Sequence, residues 1–126
     1  MRVRVTSAVP LGKAFVSSSG VHSSDIYVKV GETPFRLSTV IPKCAKFKFF
    51  GDCLQHALVC RGKLHAAIDT VMKPWDTAAL IPCVEEAGGI ATTLAGDRKN
   101  VVFGGSLLTS CDPTLQQQLV DLLRPI

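Results

Sequence analysis

A chain of 126 residues, 47% hydrophobic and 19% charged, is long enough to bury one core and reads as a single domain, 1–126. Its apolar runs are broken by Lys, Asp, Gly or Pro well short of the roughly 20 residues that span a bilayer, so no membrane partner is expected. The net charge of +4 divides into +6 over residues 1–48 and −2 over 49–126, yet the basic residues are scattered as on a solvated face, which argues against a nucleic-acid partner.

In chain order, Arg2-Val3-Arg4-Val5-Thr6 alternates polar and apolar with period two and predicts an opening strand. The acid-free first 24 residues have the composition of an organelle transit peptide, but no amphipathic helix follows. Ala14-Phe15-Val16 predicts a second short strand, and Phe35, Leu37, Val40 and Ile41 have the spacing of a short helix. Cys44 to Phe50 alternates Lys46 and Lys48 with Ala45, Phe47 and Phe49, the pattern of a strand with one basic face. From Asp52 to Cys60, the residues Cys53, Leu54, Ala57, Leu58 and Val59 recur at three and four and predict a helix, stopped by Arg61-Gly62.

His65 to Asp69 reads as a strand. Lys73-Pro74-Trp75-Asp76 then leads into a helix over Thr77–Ala87, expected to kink at Pro82 and to end at Gly88-Gly89. Ile90 to Leu94 and Ser106 to Ser110 read as strands around a polar turn. Asp112-Pro113 supplies an N-cap and a first helical residue for a final helix reaching Leu123. Strand and helix thus alternate from residue 44 onward, which predicts an α/β layered sandwich with a largely parallel central sheet flanked by helices.

Cys44, Cys53, Cys60, Cys83 and Cys111 are odd in number and never spaced C-x-x-C, which excludes a disulfide framework and a zinc knuckle. Most sit among apolar neighbours and read as reduced, space-filling thiols in a cytoplasmic setting. His22, His56 and His65 are too dispersed for a metal triad and are assigned no role.

The segment Lys73-Pro74-Trp75-Asp76-Thr77-Ala78-Ala79-Leu80-Ile81-Pro82-Cys83-Val84-Glu85-Glu86-Ala87-Gly88-Gly89 resembles the third signature of the inositol monophosphatase family, in which Trp-Asp opens a helix ending in Glu-Ala-Gly-Gly. Gly51-Asp52-Cys53, with Ala57-Leu58-Val59 and Gly62, resembles the strand-to-helix turn before that signature. The Gly-Asp-Cys and Lys-Pro-Trp-Asp variants are most similar to the histidinol-phosphate phosphatase branch. The resemblance runs from residue 44 to 124, more loosely back to residue 1, and corresponds to the carboxy-terminal half of the family's fold.

What the resemblance implies is hydrolysis of small phosphate monoesters with Mg2+ held by several carboxylates, a cation that demands hard oxygen ligands. Asp76 matches the signature's metal-ligating aspartate, at a helix start whose amides favour a nearby phosphate; by itself the position also reads as a plain N-cap. Asp69 stands where the family has an acidic residue contacting a substrate hydroxyl or amine. Gly51, Asp52 and Cys53 match the turn facing the substrate, and Lys48 stands where relatives often carry Arg. Glu85 and Glu86 serve the helix end, and Trp75 is expected as a packing anchor.

The family's other metal ligands lie in a Gly-Glu-Glu segment and an Asp-Pro-Ile/Leu-Asp-Gly-Thr segment, and neither occurs here. Before Gly51 the only carboxylates are Asp25 and Glu32, without that context. The expectation is therefore a phosphatase part that is inactive alone and binds Mg2+ weakly. It would act with a chain supplying the other half or as a homo-oligomer, or else serve as a non-catalytic binding and assembly module of the same fold; a basic nucleic-acid-binding domain is the least favoured reading.

Overall fold

The computed structural model describes residues 3–22, 24–27, 34–50 and 53–125. Five short strands form one sheet: β1 (Phe15–Ser18), β2 (Lys46–Phe49), β3 (Ala66–Asp69), β4 (Ile90–Thr92) and β5 (Leu107–Ser110), in the order β2-β1-β3-β5-β4. Around it lie α1 (Leu37–Val40), α2 (Leu54–Cys60), α3 (Pro74–Glu86) and α4 (Pro113–Leu123).

All four residues of β3 are buried, and successive ones serve opposite faces, as the pleat requires. Ala66 and Ile68 join Val16 and Leu108 against Leu115, Leu119 and Leu123 of α4 and Leu37 and Val40 of α1. On the other face Ala67 packs with Val59 and Leu64, and Leu107 with Met72 and Val84. Each fully buried Leu of α4 contributes about 1.5 to 3 kcal/mol, so the apolar stripe of α4 is a principal anchor of the sheet.

The α/β sandwich is as expected, but the sheet is mixed rather than largely parallel. β1 pairs in parallel with β2 and β3, whereas β5 pairs antiparallel with both β3 and β4. The β3–α3–β4 crossover keeps β3 and β4 co-directional. No helix separates β4 from β5, so β5 turns back and fits between them; the alternation of strand and helix fails at that one connection.

Local corrections have similar causes. The expected strand at Arg2–Thr6 is not one: residues 3–10 form no regular element, and Val5 instead donates its N–H to Ala87 O (3.0 Å). Arg2 lies outside the described residues. α3 begins three residues before Thr77, with Pro74 at its first position, where the missing N–H costs no helical bond. It continues through Pro82 and ends in a full Schellman motif: Gly88 N–H donates to Glu85 O (3.0 Å) and Gly89 N–H to Val84 O (2.8 Å), with Gly88 at φ +91°. At α4, Asp112 caps as read, its Oδ2 accepting from Leu115 N–H (3.1 Å).

The orientation of α2 departs furthest from the sequence. It buries Gln55, His56, Val59 and Cys60, while Leu54 and Ala57 face outward and Leu58 is only partly covered. The sheet explains this. Facing α2 in register stand Ser17, Ala67 and Thr109, a row too small and polar for a leucine knob, and Gln55 and His56 fill it.

Candidate active site

β1 and β3 run in parallel and stop side by side, and the segment after β3 leads through residues 70–73 into α3. Ligands in α/β sheets bind beyond the carboxyl ends of such strands. Ser19, just past β1, donates its N–H to Ile68 O (3.0 Å), and its hydroxyl donates to Asp69 Oδ1 (3.0 Å) at the end of β3. The same Oδ1 accepts Val71 N–H (3.2 Å), which fixes the carboxylate across the turn. Asp69 is only 5% exposed.

Beneath this turn lies a buried polar layer. Ser17 Oγ donates to Gln55 Oε1 (2.7 Å) and Gln55 Nε2 to Ile68 O (2.9 Å). His56 is fully buried. Its Nδ1 is 2.8 Å from Thr109 Oγ1, and its Nε2 faces Asp69 Oδ2 at 3.8 Å without a hydrogen bond to any described group. Thr77 Oγ1, in the first turn of α3, is also buried and unpaired among the described residues. Native interiors rarely leave such groups unmatched.

Asp76 occupies the third position of α3, not the N-cap, which is Lys73; it is half-buried, and no described hydrogen bond or ion pair engages its carboxylate. The amide of Asp76 and that of Thr77 both turn back to Lys73 O (3.1 Å each), closing the first turn. Cys53 is the half-buried N-cap of α2. Gly51 and Asp52 lie outside the described residues. Lys48 is exposed on β2. Trp75 is 70% exposed, contrary to its expected role as an anchor.

Among the described residues no group of three His, Cys, Asp or Glu side chains converges in a way that could hold a metal. Asp25 is committed to α1, its carboxylate accepting the amide and hydroxyl of Ser38. The described donor set therefore does not fit a closed Mg2+ shell: the Asp76 carboxylate has no described partner, and Asp69 Oδ1 already accepts from protein donors.

Sequence reasoning brought Asp69 and Asp76 to the ends of consecutive elements, and the fold sets them at the two ends of one connection. It missed Ser19, Gln55, His56 and Thr109. The available signal was the Gln55-His56 pair inside an otherwise apolar helix and the serine run closing β1.

The family description "Inositol monophosphatase family" matches residues 2–126. A histidinol-phosphatase of Chlorobaculum parvum is 44% identical over 61 residues, covering 48% of this chain and 23% of that protein. The chloroplastic bifunctional phosphatase IMPL2 of Arabidopsis thaliana is 40% identical over 79 residues, covering 57% and 23%. Among solved structures, an inositol monophosphatase from Zymomonas mobilis superposes with a TM-score of 0.81 at 24% identity over 96% of this chain and 46% of its own. The chain thus spans under half the length of this solved relative, and the matches to both curated relatives cover about a quarter of theirs.

Proposed function

The chain belongs to the inositol monophosphatase family, and we propose that it is the carboxy-terminal part of a Mg2+-dependent phosphomonoesterase whose substrate is histidinol phosphate or, next, inositol monophosphate. A solved IMPase/NADP phosphatase, 21% identical and similar in fold, is complexed with NADP and Ca2+, a divalent cation. The observation that carries the reading is the paired carboxylates: Asp69 held by Ser19 and Val71 at the end of β3, and Asp76 with no described partner in the first turn of α3.

In this reading Asp76 is the one metal carboxylate of the segment, and the α3 N-terminus adds partial positive charge toward the phosphate. Asp69 accepts from a hydroxyl or amine of the substrate, and Gly51, Asp52 and Cys53 line the turn beside it. Histidinol phosphate leads because the Gly-Asp-Cys and Lys-Pro-Trp-Asp variants are most similar to that branch, because its ammonium offers a cation to a carboxylate, and because the Chlorobaculum relative is a histidinol-phosphatase. The lack of a three-ligand cluster among the described residues supports inactivity of the segment alone. The same observation favours a second reading, a non-catalytic binding and assembly module.

The test is phosphate release by the 126-residue chain from both esters, with and without Mg2+. No turnover is expected, and turnover on adding the preceding half of a family member as a separate chain, lost in Asp76→Asn, would support the first reading. Metal-dependent turnover by the segment alone would overturn its incompleteness. Failure of the reassembled pair to turn over, with ester binding retained, would support the second reading.

A further inference from the structure

A fully buried imidazole with an unpaired nitrogen is costly, because that nitrogen has given up water and gained no partner. Its retention beside the polar row of the sheet calls for a role. His56 stands on α2 with Nδ1 at 2.8 Å from Thr109 Oγ1 of β5 and Nε2 at 3.8 Å from Asp69 Oδ2 of β3. The second distance is too long for a hydrogen bond and short enough to become one with a shift of about 0.8 Å.

The three chemical states of the ring are not equivalent here. If Nδ1 carried the proton, it would donate to Thr109, and Nε2 would set a lone pair against the Asp69 carboxylate, with no donor for either. If both nitrogens were protonated, a full charge would be buried beside Asp69, whose Oδ2 at 3.8 Å is too far for the hydrogen bond needed to compensate it. With the proton on Nε2, Thr109 donates to Nδ1 and the Nε2–H points at Oδ2. Of the two neutral tautomers, only this one both pairs Thr109 with Nδ1 and sets a donor toward Asp69.

We infer that His56 is a positioning residue for Asp69: fixed as the Nε2–H tautomer by Thr109, it holds Oδ2 from below while Ser19 and Val71 hold Oδ1. A chain of contacts, Thr109–His56–Asp69–Ser19, then runs from the middle of the sheet to its carboxyl edge. Asp69 receives donors from three directions, which orients both oxygens and leaves Ser19 with its hydroxyl hydrogen inward and its lone pairs toward the opening. That Asp69 faces a substrate rests on the function proposed above; that His56 positions it does not.

The experiment is nuclear magnetic resonance of the 126-residue chain at pH 7 with 15N-labelled histidine. The expected His56 ring has a protonated Nε2 and an unprotonated Nδ1, and Asp69→Asn shifts the Nε2 signal. A ring protonated at Nδ1, alone or together with Nε2, overturns the inference, and this reading needs no variant.

Amide exchange supplies the second arm, because Val71 N–H reports on Asp69 Oδ1. His56→Leu is expected to speed Val71 exchange about tenfold relative to core amides of α4, and His56→Gln, whose amide replaces the Nε2 donor, to restore most of the protection. Val71 exchange unchanged in a folded His56→Leu chain would overturn the positioning role. Neither measurement depends on phosphatase activity, so the failure of one proposal does not hide in the other.

Discussion

His65 shows how one side chain couples the strand edge to pH. Its Nδ1 accepts Phe15 N–H (2.9 Å), and its ring packs edge-on against Phe15 at 5.6 Å. Burial pushes the His65 pKa below its ordinary value of 6.5. The unfolded chain therefore takes up the proton first on acidification. The contribution of His65 is complete above about pH 6.5 and is lost as pH falls through the lowered folded value, since a protonated Nδ1 cannot accept. Melting temperature followed from pH 7.5 to 5 should decline, and more steeply than in His65→Leu, which lacks that proton site. Equal slopes would remove His65 from the account.

The thiols follow the same rule of burial. Desolvation raises the Cys44, Cys60 and Cys111 thiols, for Cys60 with a smaller push from Cys83 and for Cys111 from Asp112. They remain protonated and act as small apolar groups, as their sequence neighbours imply. Cys83, by contrast, is exposed on α3.

At the scale of elements, the end of α3 is where the backbone leaves least room. A Cβ on Gly89 would come within 2.9 Å of Ser110 O, 3.0 Å of Val84 Cγ1 and 3.1 Å of Val5 Cγ1. Backbone, the buried Val84 and the partly buried Val5 must yield at once. Gly89→Ala should therefore destabilise by about 1 to 3 kcal/mol, read as a lower denaturant midpoint at an unchanged slope. A neutral result would mean that the β4 start shifts freely.

α2 carries the opposite lesson. Counting apolar residues at three and four finds the helix but selects the wrong face, because the period says where a stripe lies and not what it meets. The polar row Ser17 and Thr109 makes Gln55 and His56 the better inward residues, with Gln55 and the Nδ1 of His56 paired at 2.7 to 2.9 Å. Leu54 and Leu58 are turned toward the outside in consequence.

For the molecule as a whole, that reversal leaves apolar surface. Leu54 and Leu58 join Phe15, Val16, Phe50 and Leu64 around a cavity of about 470 Å3 rimmed by Lys46, Lys48 and Lys63. Trp75 and Phe103 are 70% and 76% exposed, on segments drawn together by Met72 N–H donating to Gly105 O (2.8 Å). β2 is an edge strand with an open side. We predict self-association of the isolated segment, seen as a concentration-dependent mass in light scattering and relieved by the complementary half of the fold. A monomer at all concentrations, with no binding of an apolar dye, would count against it.

The sequence by itself determined the family, the layered α/β class, the Asp112 cap, the Gly88-Gly89 stop and the two carboxylates flanking the β3-to-α3 connection. These are local: each depends on residues close in the chain and on backbone chemistry that travels with them. No described helix is long and apolar enough to cross a membrane, which the interrupted apolar runs also implied. Only the tertiary structure decided that β5 inserts antiparallel between β3 and β4, that α2 turns its polar side inward, and that Ser19, His56 and Thr109 gather around Asp69. Those residues are up to 90 positions apart, from Ser19 to Thr109, and what joins them is strand order and the polarity of a buried surface, neither of which any window of the chain contains.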